Sequence, residues 1–408
     1  MNAVQKRLSV LALTVLLILF ACVSLCSAVS SGTRHVFYED SSGHVHQLYS
    51  TASGWSDVDL TALTNAPVAE LNPGFSTGLT SVLDSATNYV HVYYLGGNQH
   101  IYELYGTGTT WYRDDPTALA AGVVAQFSSG LTSLIGSGSV IHVFYWDSNY
   151  SLQELYWLGG TTWHHDSPAA LAGESGKVPG YDGAPLTSFI DLSNGSNFMH
   201  VFCPSYDGQF NVSELYWVGG SAWHYDSPMA LAGAPTPEAS YITSFIDNTN
   251  NSSVMHLFYE GGNQHIYELY YPAWPWHYDD PTSLAGAPVA EYINPSTPLT
   301  SFLGTVNSTG MHVIYLGTNH HVYELHWTTA WSYFDATAAS GGVPADPYGG
   351  LTSFQDRAGG NRVYFVGTNN HVYELYWQNE PNASETDITV ASGGTLADLA
   401  GLSGVVGP

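Results

Sequence analysis

Apolar and polar residues alternate along short stretches of this chain, and the same alternation returns at intervals of 50 to 58 residues. Seven copies open with a run rich in β-branched and aromatic residues, cross a turn rich in Gly and Asn, and continue into a second such run. Two of them are nearly identical although 165 residues separate them: HVYYLGGNQHIYELY at 91–105 and HLFYEGGNQHIYELY at 256–270. Period-two alternation around a glycine turn predicts a β-hairpin in each copy.

Two further elements recur between the hairpins. Six hairpins follow an apolar segment with a Thr-Ser pair, such as GLTSV at 78–82 and PLTSF at 185–189. A Trp-containing segment comes after the second strand and usually leads to an Asp that shapes the next turn. Its Trp residues are Trp55, Trp111, Trp163, Trp223, Trp276 and Trp331, and we expect them to pack between structural repeats. Four short strands in a period of this length are typical of a β-propeller blade.

The two ends of the chain are predicted to share one blade. The first hairpin has no Thr-Ser segment before it, but GLSGV at 401–405 resembles GLTSV at 78–82. A C-terminal strand that completes the first blade would close the ring and pair its sheet edges. The predicted fold is therefore all-β, a single propeller of seven blades with four antiparallel strands each, and six blades are the alternative. The chain shows no helical periodicity of the kind that a helical solenoid needs.

The first residues have the layout of a secretory signal. Lys6 and Arg7 precede an apolar run that ends on small residues, so residues 1–28 are predicted to be a signal peptide and residues 29–408 one propeller domain. The mature chain is then expected to be secreted, without insertion into a membrane. An alternative places a lipoprotein cleavage site before Cys22, which would anchor the protein to a cell surface.

The predicted mature chain is strongly acidic. It keeps five basic residues against 34 acidic ones, a formal charge of −29. Nucleic acid and anionic membrane surfaces require basic patches, so neither is an expected partner. Only Cys203 remains after cleavage, and no intrachain disulfide is expected.

Each hairpin opens with a polar residue, and in most copies a carboxylate follows twelve positions later. Antiparallel pairing can bring the two onto one face of the sheet, and the aromatic residue two positions after the opener points to the same face. The pairs are His91 and Glu103, His142 and Glu154, His256 and Glu268, His312 and Glu324, Arg362 and Glu374, the more widely spaced His200 and Glu214, and His35 with Gln47. A hydrogen-bonding donor, a carboxylate and an aromatic ring are the groups of a sugar site.

The hairpin RVYFVGTNNHVYELYW, with Arg362 and Glu374, resembles those of the fungal fruit-body fucose lectins, the Aleuria-type propellers. The resemblance implies that Arg and Glu of one blade hold fucose while an aromatic residue of the following blade stacks on it. The implied stacking residues are Phe37 for Arg362 and Glu374, Phe144 for His91 and Glu103, Phe202 for His142 and Glu154, Phe258 for His200 and Glu214, and Tyr364 for His312 and Glu324. His256 and Glu268 meet Ile314, which implies a weaker site.

The chain departs from that family in two respects. The family is typically six-bladed, and its Arg is replaced by His in six of the seven copies here. Neutral His offers one donor and one acceptor, whereas Arg offers a fixed fork of donors, so the two are not equivalent ligands. The resemblance therefore implies that the six blades with His have lost fucose binding or bind another sugar.

Catalysis is not expected, because a catalytic group should be unique to one cleft whereas the candidate residues recur around the ring. The sequence contains no zincin or α/β-hydrolase motif, and neighbouring carboxylates such as Asp114 and Asp115 should point apart. No cofactor or metal is expected, since adjacent His residues such as His164 and His165 rarely share an ion.

The sequence thus favours a multivalent lectin that binds fucosylated or related glycans between adjacent blades. One alternative is a non-catalytic scaffold or adhesion protein that binds protein partners, with the His–Glu pairs purely structural. A propeller glycosidase is the less favoured alternative. His ligands would also make binding change between about pH 5 and 7.

Overall fold

The computed structural model describes residues 32–71, 78–174, 180–181, 183–192, 197–206, 209–220, 222–249, 253–292, 298–306, 310–398 and 401–407. The predicted signal peptide lies outside these residues. The described strands form seven antiparallel sheets of four strands each, and the inner strands of successive sheets contact one another around a ring. The predicted seven-bladed propeller is confirmed, and the six-bladed alternative is wrong.

Within each blade the Thr-Ser segment forms the innermost strand, the hairpin forms the next two, and the fourth strand lies outermost. The first blade contains β28 (Ser403–Val406), β1 (Arg34–Glu39), β2 (Val45–Thr51) and β3 (Gly54–Asp59). The second contains β4 (Leu79–Asp84), β5 (Tyr89–Leu95), β6 (Ile101–Thr107) and β7 (Thr110–Asp114), and the third β8 (Leu131–Ile135), β9 (Ile141–Trp146), β10 (Leu152–Trp157) and β11 (Trp163–Asp166). The fourth contains β12 (Thr187–Asp191), β13 (Phe198–Tyr206), β14 (Phe210–Trp217) and β15 (Trp223–Asp226), and the fifth β16 (Pro237–Asp247), β17 (Val254–Gly261), β18 (Ile266–Tyr271) and β19 (His277–Asp279). The sixth contains β20 (Leu299–Gly304), β21 (Gly310–Leu316), β22 (Val322–Trp327) and β23 (Trp331–Asp335), and the seventh β24 (Leu351–Gln355), β25 (Asn361–Val366), β26 (Val372–Asn379) and β27 (Asn382–Asp387).

A short helix follows the outermost strand of each blade. These helices are α1 (Leu60–Thr64), α2 (Pro116–Leu119), α3 (Pro168–Leu171), α4 (Pro228–Ala232), α5 (Pro281–Ala285), α6 (Ala336–Ser340) and α7 (Ile388–Ser392). Five of them begin after an Asp whose side chain accepts a hydrogen bond from the backbone N–H three residues on: Asp59, Asp115, Asp280, Asp335 and Asp387. Capping by Asp stabilises a helix start, which agrees with the predicted turn-forming role of this residue. Within the described part of the chain, no helix has the length and apolarity of a membrane span.

The C-terminal strand closes the ring. Strand β28 pairs antiparallel with β1, with Val406 opposite Arg34 and Ser403 opposite Phe37, so the predicted closure is confirmed. Around the centre, hydroxyl groups of neighbouring inner strands bond to each other at 2.6–3.1 Å. These bonds join Thr80 to Ser133, Thr132 to Ser188, Thr187 to Ser244, Thr243 to Ser301, Thr300 to Ser353, and Ser403 to Ser81.

The core lies between adjacent blades. In most blades the aromatic ring two residues after the hairpin opener packs edge-on against the Trp of the next blade, with ring centres about 6 Å apart. The contacts are Phe37 with Trp111, Tyr93 with Trp163, Phe144 with Trp223, Phe202 with Trp276, Phe258 with Trp331 and Tyr364 with Trp55. All of these Trp side chains except Trp55 are buried. The prediction that the Trp segments pack between blades is confirmed.

Candidate functional site: the clefts between blades

The opener of each hairpin and the carboxylate of the second strand lie on one face of the blade. In the third blade, Tyr156 is opposite His142 and Glu154 is opposite Phe144, so His142 and Glu154 are diagonal neighbours across the two strands. The hydrogen bonds join Nδ1 of His to Oε1 of Glu in five blades: His91–Glu103 (2.7 Å), His142–Glu154 (2.6 Å), His200–Glu214 (2.5 Å), His256–Glu268 (2.5 Å) and His312–Glu324 (2.6 Å). The predicted spatial pairing is confirmed, and a role in ligand binding stays a prediction.

These pairs are largely withdrawn from solvent. The side chains of Glu103, Glu154, Glu214, Glu268 and Glu324 are 1–4% exposed, and those of their His partners are 3–12% exposed. Burial raises the pKa of Glu154, and the hydrogen bond and charge of His142 lower it in part. A neutral imidazole that donates its Nδ1–H to a carboxylate keeps a lone pair on Nε2. His142 therefore presents an acceptor to the cleft that it lines, and not the donor that the sequence predicted.

The first blade carries the neutral counterpart of these pairs. Nε2 of Gln47 lies 2.5 Å from Nδ1 of His35. Burial lowers the pKa of His35 to about 4, because Gln47 supplies no negative charge to offset the loss of water. His35 therefore stays neutral at ordinary pH.

The acid stability of the protein should depend on this neutral pair. The unfolded chain binds a proton at His near pH 6.5, before folded His35 does, so His35 should lower stability by about 2 kcal/mol as the pH falls from 7 to 5. The Gln47→Glu variant adds the carboxylate found in the other six blades. We expect it to lose less stability than the wild type between these pH values, measured by urea unfolding at each. Equal losses would mean that the missing carboxylate does not set the pKa of His35.

The seventh blade differs because its Arg is already engaged. Asp356 accepts hydrogen bonds from Nε (2.9 Å) and Nη2 (2.8 Å) of Arg362, and Nη1 lies 3.2 Å from Glu374. Arg34 of the first blade also lies 3.2 Å from Glu374. The guanidinium of Arg362 stacks over the ring of Tyr376 at 3.8 Å. Most donors of Arg362 therefore serve the protein, which leaves fewer of them for a ligand than the sequence implied.

The aromatic residues expected to stack on a sugar do not face the clefts assigned to them. Side chains alternate along a strand, so Phe144 lies on the same face as its own His142 and contacts Trp223 of the following blade, whereas Val143 and Tyr145 face the preceding blade. The same placement applies to the other residues of this set, all buried on their own blades: Phe37, Phe202, Phe258, Ile314 and Tyr364. They form core, and other rings line the clefts.

One of these clefts lies between the third and fourth blades. It encloses about 270 Å³. His142, Glu154 and Tyr156 line one side of it, and Trp217 and Trp223 of the next blade line the other. The ring of Tyr156 stacks between those of His142 and His164, with centres 6.2 and 5.0 Å apart. Related clefts lie beside His91, where Trp157 is the facing indole, and beside His35, where it is Trp111.

Sequence reasoning missed the Tyr two residues after the Glu, or after Gln47 in the first blade. It recurs as Tyr49, Tyr105, Tyr156, Tyr216, Tyr270 and Tyr376, and its ring stacks on the opener in several blades. The signal was available: period two places this ring on the same face as Glu, and hairpin register places it opposite His. The half-buried Trp217, which follows Tyr216 and points to the other face of the strand, was also missed.

A second set of His residues has a structural role at the hairpin turns. Their Nδ1 atoms lie 2.6–2.9 Å from the Asp residues that cap the helices: His44–Asp59, His100–Asp115, His265–Asp280, His321–Asp335 and His371–Asp387. In the fourth blade both partners change together, and Asn211 donates to Ser227 (2.9 Å). These contacts fix the caps and lie apart from the cleft-lining residues.

Two groups of side chains have the composition of a metal site. One consists of Asp40, His44 and His46, and the other of Glu324, His326 and Glu380; in each, the possible ligand atoms lie within 4.8 Å of one another. The second group includes the carboxylate of the His312–Glu324 pair. The expectation that the chain binds no metal had considered only adjacent His residues.

Solved propeller lectins share this fold. The BP39L lectin from Burkholderia pseudomallei has a TM-score of 0.58 and 13% identity over 88% of this chain and 95% of the lectin. The Aleuria aurantia lectin, described as a six-bladed β-propeller with a novel fucose recognition mode, has a TM-score of 0.52 and 15% identity over 77% of this chain and 96% of that one. A triple arginine-to-alanine mutant of AofleA from Arthrobotrys oligospora has a TM-score of 0.53 and 16% identity, with coverages of 82% and 91%.

These likenesses are likenesses of fold. They confirm the resemblance to Aleuria-type lectins at that level, and the seven blades found here depart from the six described for the Aleuria protein. No protein-family model and no curated protein sequence matches this chain.

Proposed function

We propose that the protein is a secreted, multivalent carbohydrate-binding protein without catalytic activity, with binding sites in the clefts between adjacent blades. The observation that carries the proposal is the recurring cleft in which a His–Glu pair and a Tyr ring face an indole of the next blade. The similarity of the fold to that of propeller lectins supports the proposal. Fucosylated or related glycans are the proposed ligands.

The chemistry of the cleft suits a sugar ring. In the cleft between the third and fourth blades, Nε2 of His142 can accept a hydrogen bond from a sugar hydroxyl. Tyr156 and Trp217 are half-buried, so their rings can cover the apolar face of a pyranose while staying in contact with water. Each such shallow site should bind weakly, and several sites on one rigid ring should raise avidity by about 10² or more.

The scaffold hypothesis keeps one specific observation in its favour. The His–Glu pairs are buried hydrogen-bond networks that satisfy each other within a blade, which is what a purely structural role requires. Under that hypothesis the clefts bind no sugar, and the faces of the ring bind protein partners.

Glycan binding by the chain from Val29 to Pro408 tests the proposal. An array should identify a fucosylated or related glycan, and calorimetry with the monovalent sugar should then give the number of sites. We expect Tyr156→Ala to remove one site from that number and Tyr105→Ala to remove another, because each deletes the Tyr ring of one described cleft. The matched Tyr→Phe variants keep the ring and should keep the site.

The outcomes separate the hypotheses. An array without hits would support the scaffold. Sugar binding with an unchanged number of sites in both Tyr→Ala variants would move the ligand away from these clefts. If only Arg362→Ala abolished binding, the seventh blade would be the working site despite the contacts that occupy its Arg.

A further inference from the structure

The sixth blade breaks the repeat at one position that faces a neighbour. The residue two positions after the Glu, or after Gln47 in the first blade, is Tyr in the six other blades and His326 here. Nε2 of His326 lies 2.6 Å from Oγ of Ser332. Nδ1 is buried and makes no hydrogen bond. A buried ring nitrogen without a hydrogen bond is uncommon in a folded protein. The nitrogen of a neutral imidazole can coordinate a metal ion.

The neighbouring blade presents a carboxylate to this nitrogen. Glu380 lies in the turn between β26 and β27, and its Oε1 lies 3.1 Å from Nδ1 of His326. Its carboxyl also lies within 4.8 Å of Glu324, whose own oxygens accept hydrogen bonds from His312 (2.6 Å) and from Trp377 Nε1 (3.2 Å). Two carboxyl groups and one imidazole from adjacent blades thus converge on one point.

Two carboxyl groups face a single imidazole at this point. Nδ1 of His326 is buried without a hydrogen bond, and Oε1 of Glu380 is the carboxylate oxygen beside it. A cation between the three groups would bind this nitrogen and reduce the repulsion between the two carboxylates.

We propose that Glu324, His326 and Glu380 form a binding site for a divalent transition-metal ion such as Zn²⁺ where the sixth and seventh blades meet. One imidazole and two carboxylates suit Zn²⁺ or a similar ion, whereas Ca²⁺ and Mg²⁺ prefer oxygen ligands alone. Ligands at about 2.1 Å from Zn²⁺ lie roughly 3.4 Å apart in a tetrahedron. Glu380 is 36% exposed and can move to close the site from its present separation.

The group formed by Asp40, His44 and His46 is a natural comparison. His44 is bonded to Asp59 (2.7 Å), and His46 lies between Asp57 (3.1 Å) and Asp40 (3.4 Å). The pKa of His46 is raised, since burial is outweighed by the bond to Asp57 and the surrounding carboxylates. Both ring nitrogens of His46 are thus already engaged by carboxylates of the protein, which leaves neither of them free for a metal.

Metal titration of the chain from Val29 to Pro408, stripped with chelator, tests the inference without any glycan and so independently of the proposed function. We expect one Zn²⁺ ion to bind by calorimetry, and Co²⁺ at the same site to show the visible absorption of a tetrahedral complex. His326→Tyr restores the residue of the other blades and should keep the fold. It should weaken Zn²⁺ binding by more than about tenfold, since even outer-sphere substitutions have effects of that size.

Two further variants complete the test. Glu380→Gln keeps the shape of the side chain, removes its charge and should weaken binding to a similar extent. His46→Tyr, which gives the first blade the residue found at Tyr102 and Tyr323, should leave Zn²⁺ binding unchanged. The inference is overturned if the wild type binds no ion, if His326→Tyr binds as the wild type does, or if His46→Tyr abolishes binding.

Discussion

Replacing Trp223 with Ala is expected to lower the free energy of unfolding by about 3–5 kcal/mol. Trp223 is 4% exposed and belongs to the fourth blade, but its indole packs edge-on against Phe144 of the third, with ring centres 5.9 Å apart. The substitution removes apolar contacts on both sides of the interface. The surrounding strands are held in place by their backbone hydrogen bonds, so they cannot move in to fill the cavity. Denaturant unfolding followed by far-UV circular dichroism measures the loss.

The control for this prediction is an exposed apolar residue. Leu284, in α5, is 60% exposed, so Leu284→Ala should change stability by no more than about 0.5 kcal/mol. Trp223→Phe, which keeps an aromatic edge against Phe144, should fall between the two. A cost for Trp223→Ala as small as that for Leu284→Ala would show that the interfaces between blades contribute little to stability.

The second large effect is expected at a buried His–Glu pair. Glu154→Leu should destabilise the fold by about 3–5 kcal/mol, because it leaves Nδ1 of His142 without its partner in a site almost closed to water. Leu is similar in size to Glu, so the cost reports the lost polar contact more than a lost volume. The difference in urea midpoint between variant and wild type gives the value.

Glu154→Gln is the matched variant, and the chain itself contains the precedent. His35 and Gln47 form this neutral pair in the first blade, at 2.5 Å. Glu154→Gln should therefore cost about 1 kcal/mol or less. If Gln cost as much as Leu, the negative charge and not the hydrogen bond would hold the pair. Together the two variants separate the structural role of the pair from the proposed role in sugar binding, because a folded Gln variant can be tested for sugar directly.

The architecture could be predicted from sequence because each of the seven repeats carries the same pattern of strands and turns. Period-two hairpins, the Thr-Ser strands and the GLSGV segment at 401–405 each predicted a feature that the structure confirms. The pairing of His142 with Glu154 followed from the same logic. A hairpin constrains which residues of its own two strands can meet, and this local geometry can be derived from spacing alone.

The clefts were less predictable because they depend on how one blade rotates against the next. Phe144 was assigned to the cleft of the preceding blade, but its face of the sheet is buried against the following one. Asp356 accepts hydrogen bonds from Arg362 and so occupies donors that a ligand would need, and no sequence motif linked these two residues. Tyr156 could have been found from hairpin register, whereas the approach of Glu380 to His326 required the relative placement of two blades.

Closure by β28 also determines how the molecule can lose its structure. In an open array of repeats, unfolding begins at an end repeat, which has a single neighbour. Here every blade has two, so a blade inside the chain can unfold only by breaking two interfaces at once. The exception is the seam, where the four residues of β28 join the first blade to a distant part of the chain. Fraying should therefore begin at this seam, and the cooperativity of the whole ring depends on how firmly one short strand is held.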